Sequence, residues 1–425
     1  MGTRTGTIQA IFVVCFFMIG LLGCSNVERA GEARSASNRD SGPFIVVNPY
    51  AGVDWDTFEH HRAALHLHTL QSDGGNSVKE VVMAYREAGF TILSITDHDW
   101  NRPNPATPYP AEPRPHNFPA NPTWPWTDYG CPSPEELGMV GIQGSELTFR
   151  HHINSYFSDY GVWYNRTGDE APYGGIVDEQ GNEIWEDDQL LAIQVKNGLA
   201  ILNHPGVLHE HPWWVRRPLD WYVERFERHS HNYLVGMEVT NCPTDREEYD
   251  EGLWDQLLAR FMPHRPIWGF GTDDMHRLTE ARESDSVFVL AEHSEQAVRR
   301  AMEAGQFYFR KSTRRNDVRE REPAEQLFPR IDAIRVDLQA GTITVQAANY
   351  DAIKWISAPE SLEPVADYKT SHSPWPLGRV VHEGETLDYR STPNLKNYVR
   401  VEVYRIDGED TFRTFTNPFG LASSK

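Results

Sequence analysis

Five short apolar runs in this sequence are each followed, within four residues, by a histidine or an acidic residue. These runs cover residues 63–67, 90–95, 139–142, 199–202 and 266–270, and stretches with helical character lie between several of them. Strand, helix and strand in succession imply parallel strands, which need a long crossover between them. Because the carboxyl ends of parallel strands meet at one edge, polar residues placed there are expected to converge. The pattern therefore predicts an α/β fold with a single polar site.

The opening strand–helix unit has clear boundaries. Ser77 and Glu80 match a capping box, an apolar stripe at helical spacing follows, and Gly89 is expected to end the helix. Beyond Arg310 the pattern changes to short runs that alternate apolar and polar residues, at 331–338, 342–346, 398–404 and 411–415. Period-two strands of this kind predict a small antiparallel β-sandwich at the C-terminus.

The length and the N-terminus set the domain organisation. The 425 residues exceed one ordinary domain. Residues 8–23 form an apolar stretch of signal-peptide length, and the end of this stretch, Leu21-Leu22-Gly23-Cys24, resembles a bacterial lipobox. We predict a signal peptide over 1–24 with a lipidated Cys24, a flexible tether over 25–44, a catalytic domain over 45–315 and the β-sandwich over 316–425. The protein is then exported and lipid-anchored to the cell envelope, on the periplasmic side of the outer membrane.

The charge balance disfavours nucleic acid as a partner. The net charge is −21, whereas phosphate backbones are bound by clusters of lysine and arginine. We expect a small-molecule substrate, and contact with a membrane through the lipid anchor alone. Cys131 and Cys242 are the cysteines that follow Cys24, and whether they form a disulfide is left open by the sequence.

The residues at the predicted strand ends are the ligand types of a divalent metal site. His66 and His68 share one face of a strand, because side chains alternate across the pleat. Two ions that share a carboxylate would lower the pKa of a bridging water, generate hydroxide near neutral pH and clamp the substrate oxygens. The residues at strand ends are His66, His68, Asp97, His98, Glu146, His204, Asp274 and His276.

The order of these motifs resembles the PHP (polymerase and histidinol phosphatase) family of metal-dependent hydrolases, from His66 to Phe309. The motifs are His66-Leu67-His68, Ser72-Asp73-Gly74, Thr96-Asp97-His98-Asp99, Gly144-Ser145-Glu146, Asn203-His204-Pro205-Gly206 and Gly271-Thr272-Asp273-Asp274-Met275-His276. The segments Glu238–Asn241 and Ala304–Tyr308 resemble the carbaryl-hydrolase-like branch. The resemblance implies a distorted seven-stranded (β/α) barrel, two or three divalent ions (zinc, manganese or iron) and hydrolysis of phosphoesters.

The same resemblance implies roles for individual residues. Glu146 would be the bridging carboxylate, and Asn241 would lie close to the metals. His151 is an alternative to His152, and Asp273 is an alternative to Asp274. Independently of the resemblance, a metal-dependent mechanism leads us to expect that Asp99 and Asp97 fix imidazole tautomers, with metal ligation as the alternative for Asp97. It also leads us to expect that Asp73, or an unligated histidine, protonates the leaving group. The implied metal ligands are His66, His68, Asp73, His98, Glu146, His152, His204, Asp274 and His276, and the candidate phosphate-binding residues are Arg150, Arg216, Arg217 and Arg277.

These observations predict a metal-dependent hydrolase, and among such enzymes a phosphoesterase. One alternative is a carbamate, ester or amide hydrolase on the same metal site, which a pocket without arginine would favour. A second alternative is a non-catalytic cell-envelope binding protein with a structural metal. A closed four-ligand site would favour this binding protein, whereas an open coordination position would favour an enzyme.

Overall fold

The computed structural model describes residues 42–99, 123–148, 151–159, 185–207, 216–241, 247–280, 282–315, 317–320 and 324–423. The predicted signal peptide, the lipidated Cys24 and nearly all of the tether lie outside these ranges. Arg150 and Cys242 lie outside them as well, so the structure does not test the possible disulfide with Cys131. Cys131 itself is buried.

Within the described residues, fifteen strands form one mixed sheet and three more form a small antiparallel sheet, β11–β12–β15. The strands are β1 (Phe44–Val47), β2 (Glu59–Ala64), β3 (Ile92–Ile95), β4 (Val140–Leu147), β5 (Ile153–Tyr156), β6 (Leu199–Leu202), β7 (Leu234–Asn241), β8 (Trp268–Thr272), β9 (Arg282–Leu290), β10 (Phe307–Arg315), β11 (Arg330–Asp337), β12 (Thr342–Ala348), β13 (Ala352–Ser357), β14 (Arg379–Glu383), β15 (Thr386–Asp388), β16 (Tyr398–Asp407), β17 (Asp410–Thr416) and β18 (Phe419–Ala422).

The helices lie between the strands as the sequence pattern predicts for an α/β fold. The capping box of the first helix is confirmed, since Ser77 and Glu80 bond reciprocally to each other's backbone N–H. None of the helices in the described ranges has the length and apolar character needed to cross a membrane. The helices are α1 (Val78–Glu87), α2 (Pro134–Leu137), α3 (Trp185–Val195), α4 (Leu219–Arg228), α5 (Glu247–Phe261), α6 (Glu295–Ala304) and α7 (Ala324–Leu327), with 3₁₀ turns at Trp126–Tyr129, Leu278–Glu280 and Val318–Glu320.

The strands that carry the candidate site run from β2 to β8 in chain order. β2, β3 and β4 are parallel, and so are β6, β7 and β8. β5 is the exception, because it pairs antiparallel with both β4 and β6. The beginning of β5 therefore lies at the same edge of the sheet as the carboxyl ends of its neighbours, and this is the edge at which the ligands converge.

The mixed α/β class is confirmed, whereas the closed seven-stranded barrel and the separate β-sandwich are not. The path of paired strands has two ends, β1 and β8, so the sheet is open. The C-terminal strands continue this sheet, since β17 pairs with β10 and β18 pairs with β1. The small sheet β11–β12–β15 packs on the large one through Ile331, Ile343, Val345 and Leu387. The division at residue 315 stays a prediction.

One hydrophobic cluster joins the C-terminal strands to the region of the candidate site. Phe415 of β17 and Phe309 of β10 are both fully buried, and their rings are stacked with centroids 4.9 Å apart. The indole of Trp254, on α5, packs edge-on against Phe309. The same cluster includes Met237 and Val239 of β7. The two regions therefore share a core and are expected to unfold together.

We expect Phe415→Ala to lower the free energy of unfolding by about 3–5 kcal/mol, because it removes a buried ring from this shared core. Urea unfolding followed by tryptophan fluorescence and by circular dichroism should show one transition that moves as a whole. Ile406→Ala is the matched control, since Ile406 on β16 is 65% exposed, and it should change stability by less than about 0.5 kcal/mol. Two separate transitions, with only one of them shifted by Phe415→Ala, would show that the regions do not share a core.

Candidate metal centre

The segments that carry the candidate ligands stay paired with one another beyond the ends of their strands. His98 and Glu146 form an isolated parallel bridge, and so do Leu67 and Met275. The backbone N–H of His68 donates to the carbonyl of Met275 at 2.9 Å. These contacts bring the segments after β2, β3, β4 and β8 to one place, as the strand-end pattern predicts.

Glu146 is fully buried at the centre of this place, and imidazoles from different segments surround it. Its Oε2 lies 3.3 Å from His66 Nε2, 3.3 Å from His68 Nε2 and 2.9 Å from His98 Nδ1. Its Oε1 lies 2.8 Å from His152 Nδ1, 3.0 Å from His204 Nε2 and 2.9 Å from Asn203 Nδ2. The two oxygens of the Glu146 carboxylate therefore lie near different imidazoles.

Two further carboxylates extend the cluster towards solvent. Asp274 Oδ1 lies 3.0 Å from His68 Nε2 and 3.2 Å from His66 Nε2. Asp73 Oδ2 lies 3.3 Å from His98 Nε2 and 3.3 Å from His276 Nε2. The side chains of Asp73 and His276 are 39% and 40% exposed. The cluster is therefore buried at Glu146 and open at Asp73 and His276.

The geometry of the cluster fits divalent cations. Glu146 Oε2 and Asp274 Oδ1 are buried and make no hydrogen bond to any described residue, although ring nitrogens lie 2.9–3.3 Å away. Two ligand atoms that each lie about 2.1 Å from a tetrahedral zinc ion are about 3.4 Å apart. Four sets of potential ligands are close enough to hold an ion: His68, Asp73, His98 and His276; His66, His68 and Asp274; His66, Glu146 and His204; and His98, Glu146 and His152.

The electrostatics of the cluster favour the ligating form of its acids. Burial raises the pKa of the Glu146 carboxyl, but the favourable interactions of the carboxylate with His152, His66 and His98 outweigh burial and hold that pKa well below its ordinary value. Burial likewise raises the pKa of Asp274, and His66 and other imidazoles lower it further than burial raises it. Burial lowers the pKa of His152 to about 4 against the opposing effect of Glu146, so this imidazole is neutral at pH 7.

The structure places one member of each ambiguous pair in the cluster. His152 contacts Glu146, whereas the adjacent His151 is turned away, with its Nε2 3.1 Å from the Tyr222 hydroxyl. Asp274 contacts the imidazoles, whereas Asp273 accepts a hydrogen bond from the hydroxyl of Tyr85 on α1. His152 and Asp274 therefore have the geometry of ligands.

Two candidate ligands adopt a backbone conformation that is unusual for their residue types. His204 has a φ of 24° and Asp274 has a φ of 44°. Positive φ is uncommon outside glycine, and such strain is concentrated at functional sites. The surrounding contacts hold both residues in conformations that turn their side chains into the cluster.

Asp97 and Asp99 order the loops around the cluster. Asp97 accepts hydrogen bonds from the backbone N–H and hydroxyl of Thr69, both at 2.6 Å, and from Ser72 Oγ at 2.7 Å. Asp99 accepts from Thr148 Oγ1 at 2.6 Å. The loop after His68 also needs Gly74, since a Cβ at this position would lie 2.5 Å from the His68 carbonyl oxygen. Of the three predicted catalytic carboxylates, Asp73 is the one that belongs to a candidate ligand set.

Two residues that contact the candidate ligands, Glu238 and Asn203, have no role predicted from the sequence. Glu238, on β7, accepts a hydrogen bond from His66 Nδ1 at 2.7 Å. Asn203 donates to Glu146. The available signal for Glu238 was a single acidic residue inside the apolar run 234–239. A carboxylate buried in such a strand requires partners, which identifies it as part of a polar network.

The predicted phosphate-binding arginines lie in different surroundings. Arg216 donates to the carbonyl of Gly206 at 2.6 Å and lies over the ring of Tyr249. Arg217 donates to Glu186 at 3.1 Å. Arg277 follows His276 and packs near Gly75, where an added Cβ would lie 3.1 Å from Arg277 Cγ. Among the described arginines of the prediction, Arg277 therefore lies next to the open end of the cluster.

No protein-family model and no curated protein matches the chain. Solved structures with some similarity include a two-domain protein from Bacteroides vulgatus that contains a predicted PHP-like metal-dependent phosphoesterase (16% identity, 85% of this chain and 93% of that one, TM-score 0.43). An amidohydrolase from Chromobacterium violaceum has 13% identity over 51% of this chain and 87% of its own (TM-score 0.31). A lesion-specific endonuclease from Pyrococcus furiosus has 11% identity over 58% and 56% (TM-score 0.33). Similarity at this level does not establish a shared activity.

We expect His152→Ala and Asp274→Asn each to reduce the metal content of the purified protein, because the first removes a ligand atom and the second replaces a charged carboxylate by a neutral amide, which binds a cation more weakly. The loss of affinity should be at least about 10–100-fold, the range found when partners outside the ligand set are removed. Inductively coupled plasma mass spectrometry after dialysis against a metal buffer measures this content.

The neighbouring residues provide matched controls for these two variants. His151→Ala and Asp273→Asn change the same residue types one position earlier, outside the candidate ligand sets, and should retain the full metal content. Metal loss in the control variants with retention in His152→Ala and Asp274→Asn would show that the ligand register is shifted by one residue.

Proposed function

We propose that the protein is a metal-dependent hydrolase and that its substrate is a phosphoester. The observation that supports this proposal most directly is the position of Glu146, which belongs to two candidate ion sets, one with His66 and His204 and one with His98 and His152. A carboxylate between two cations is the arrangement of dinuclear hydrolases. Divalent ions bound there, such as zinc, manganese or iron, would lower the pKa of a water molecule and stabilise the negative charge that develops on the substrate.

The residues of the chain indicate where a substrate would approach. The inner part of the cluster is closed, since His66, His68 and Glu146 are fully buried. The outer part is open, because Asp73 and His276 are both partly exposed. A substrate is therefore expected to approach at Asp73 and His276, with Arg277 next to it for contact with phosphate oxygens. This open end favours an enzyme over a protein whose metal is purely structural.

A second candidate function, hydrolysis of a carbamate, ester or amide, is favoured by the positions of two arginines. Arg216 is engaged with backbone carbonyls and Arg217 with Glu186. Both guanidinium groups therefore already donate hydrogen bonds to other groups of the protein. Of the three described arginines that the sequence predicts for phosphate binding, Arg277 is the one next to the open end of the cluster, whereas a neutral acyl substrate needs no such residue.

The two candidate functions predict different results in a substrate screen. Metal-loaded protein should hydrolyse p-nitrophenyl phosphate or bis(p-nitrophenyl) phosphate, and a chelator or the His68→Ala substitution should abolish the activity while circular dichroism shows a retained fold. Turnover of 1-naphthyl N-methylcarbamate or p-nitrophenyl acetate, with no turnover of either phosphoester, would contradict the phosphoesterase proposal and support the second candidate.

We also propose that the protein is exported and anchored by lipid at Cys24. The support is the sequence Leu21-Leu22-Gly23-Cys24 at the end of an apolar stretch. In a bacterial host, Cys24→Ser should prevent labelling with radioactive palmitate and move the protein out of the membrane fraction. Cys15→Ser is the control, because Cys15 lies within the predicted signal peptide and should not affect labelling. Equal labelling of the Cys24→Ser variant would contradict the anchor.

A further inference from the structure

Glu238 connects four groups at the inner end of the cluster. Its side chain is fully buried on β7. Its Oε1 accepts hydrogen bonds from His66 Nδ1 at 2.7 Å and from Thr272 Oγ1 at 2.8 Å. Its Oε2 accepts from the backbone N–H of His204 at 2.9 Å and from Asn241 Nδ2 at 2.7 Å. One carboxylate therefore holds groups that come from the segments after β2 and β6 and from β7 and β8.

The hydrogen bond to Glu238 sets the orientation of the His66 ring. Because Nδ1 donates to Glu238, the lone pair of Nε2 is directed to the other side, where Glu146 Oε2 and Asp274 Oδ1 lie at 3.3 and 3.2 Å. This is the tautomer that a cation requires from an imidazole ligand. The backbone of His204, whose φ is 24°, is held by the same carboxylate.

Glu238 also fixes the side-chain amide of Asn241. The Nδ2 group donates to Glu238 and, at 3.3 Å, to Thr272 Oγ1. The Asn241 Oδ1 is therefore turned away from Glu238, and it is buried without a hydrogen-bond partner among the described residues. An acceptor presented in this way is suited to a bound water or substrate group in the cluster.

We propose that Glu238 is a positioning residue that sets His66 and His204 for cation binding at the inner end of the cluster, and that cation binding at the open end does not depend on it. His66 and His204 belong with Glu146 to one candidate ion set. The set at the open end, formed by His68, Asp73, His98 and His276, contains no residue that Glu238 contacts. The inference rests on the proposed metal-dependent function. It predicts that a change at Glu238 weakens binding of the inner cation and leaves binding at the open end unchanged.

The test is the Glu238→Gln variant, measured for metal as well as for activity. Glutamine has nearly the same shape, but its NH₂ group must replace one of the two oxygens. On one side it would face the His204 N–H, which cannot accept a hydrogen bond, and on the other it would face His66 Nδ1, which would have to give up its proton. We expect a folded protein that retains the ion at the open end and binds the inner ion about 10–100-fold more weakly. Metal content in a series of zinc buffers and the visible spectrum of the cobalt-substituted protein both report this change.

Asp187→Asn is the matched control. Asp187 is fully buried and accepts a hydrogen bond from a buried histidine, His229, at 2.7 Å. Its other charged partners are Arg225 and Arg228, and none of these three residues belongs to a candidate ion set. The control variant loses a comparable carboxylate–imidazole contact and should keep the full metal content and the cobalt spectrum of the unmodified protein.

The outcomes separate this inference from the proposed function. Unchanged zinc affinities and an unchanged cobalt spectrum in Glu238→Gln would overturn the inference, and so would loss of both ions together. If Glu238→Gln does not fold, Glu238→Asp, which keeps the charge but is one methylene shorter, must show the same selective loss for the inference to stand. A selective loss in a protein that hydrolyses none of the substrates would overturn the proposed function and support the role of Glu238. An unmodified protein that binds no zinc would overturn both.

Discussion

The structure depends on the burial of one carboxylate, Glu146, among five imidazoles from four segments of the chain. Removing an ionised carboxylate from water is costly unless opposite charge and hydrogen bonds replace the lost solvation. One oxygen of Glu146 has such partners in His152, His204 and Asn203. The other has nitrogens within 2.9–3.3 Å but no hydrogen bond from a described residue. A cation held between Glu146 Oε2 and the facing imidazoles would supply the missing partner.

The fold serves this arrangement by bringing strand ends together. Parallel pairing aligns the carboxyl ends of β2, β3 and β4, and of β6, β7 and β8. The antiparallel β5 has its beginning at this edge, so His152, which precedes the strand, reaches Glu146. Two carboxylates outside the candidate sets hold the surrounding groups in place. Asp97 accepts a hydrogen bond from the loop after His68, and Glu238 accepts hydrogen bonds from His66 and from the backbone of His204.

Residue type and strand-end position were sufficient to predict most of the site. Strand ends can be recognised from local sequence, and the residues placed there do meet in the structure: His66, His98, Glu146, His204 and Asp274. The choice between His151 and His152 depends on Tyr222 and Trp221, distant residues that hold the His151 ring. The role of Glu238 depends on the alignment of four segments. The pairing of β17 with β10 was not predictable for the same reason, since register between distant strands is set by tertiary packing.

The most direct test of this account is a crystal structure of the metal-loaded protein with anomalous scattering data at the absorption edge of the bound metal. If Glu146 is shared by two ions, an anomalous peak is expected on each side of its carboxylate, within about 2.0–2.3 Å of its oxygens and of the facing ring nitrogens. A structure of protein prepared with excess metal that has no peak at Glu146, and in which the imidazoles bond directly to both of its oxygens, would contradict the account.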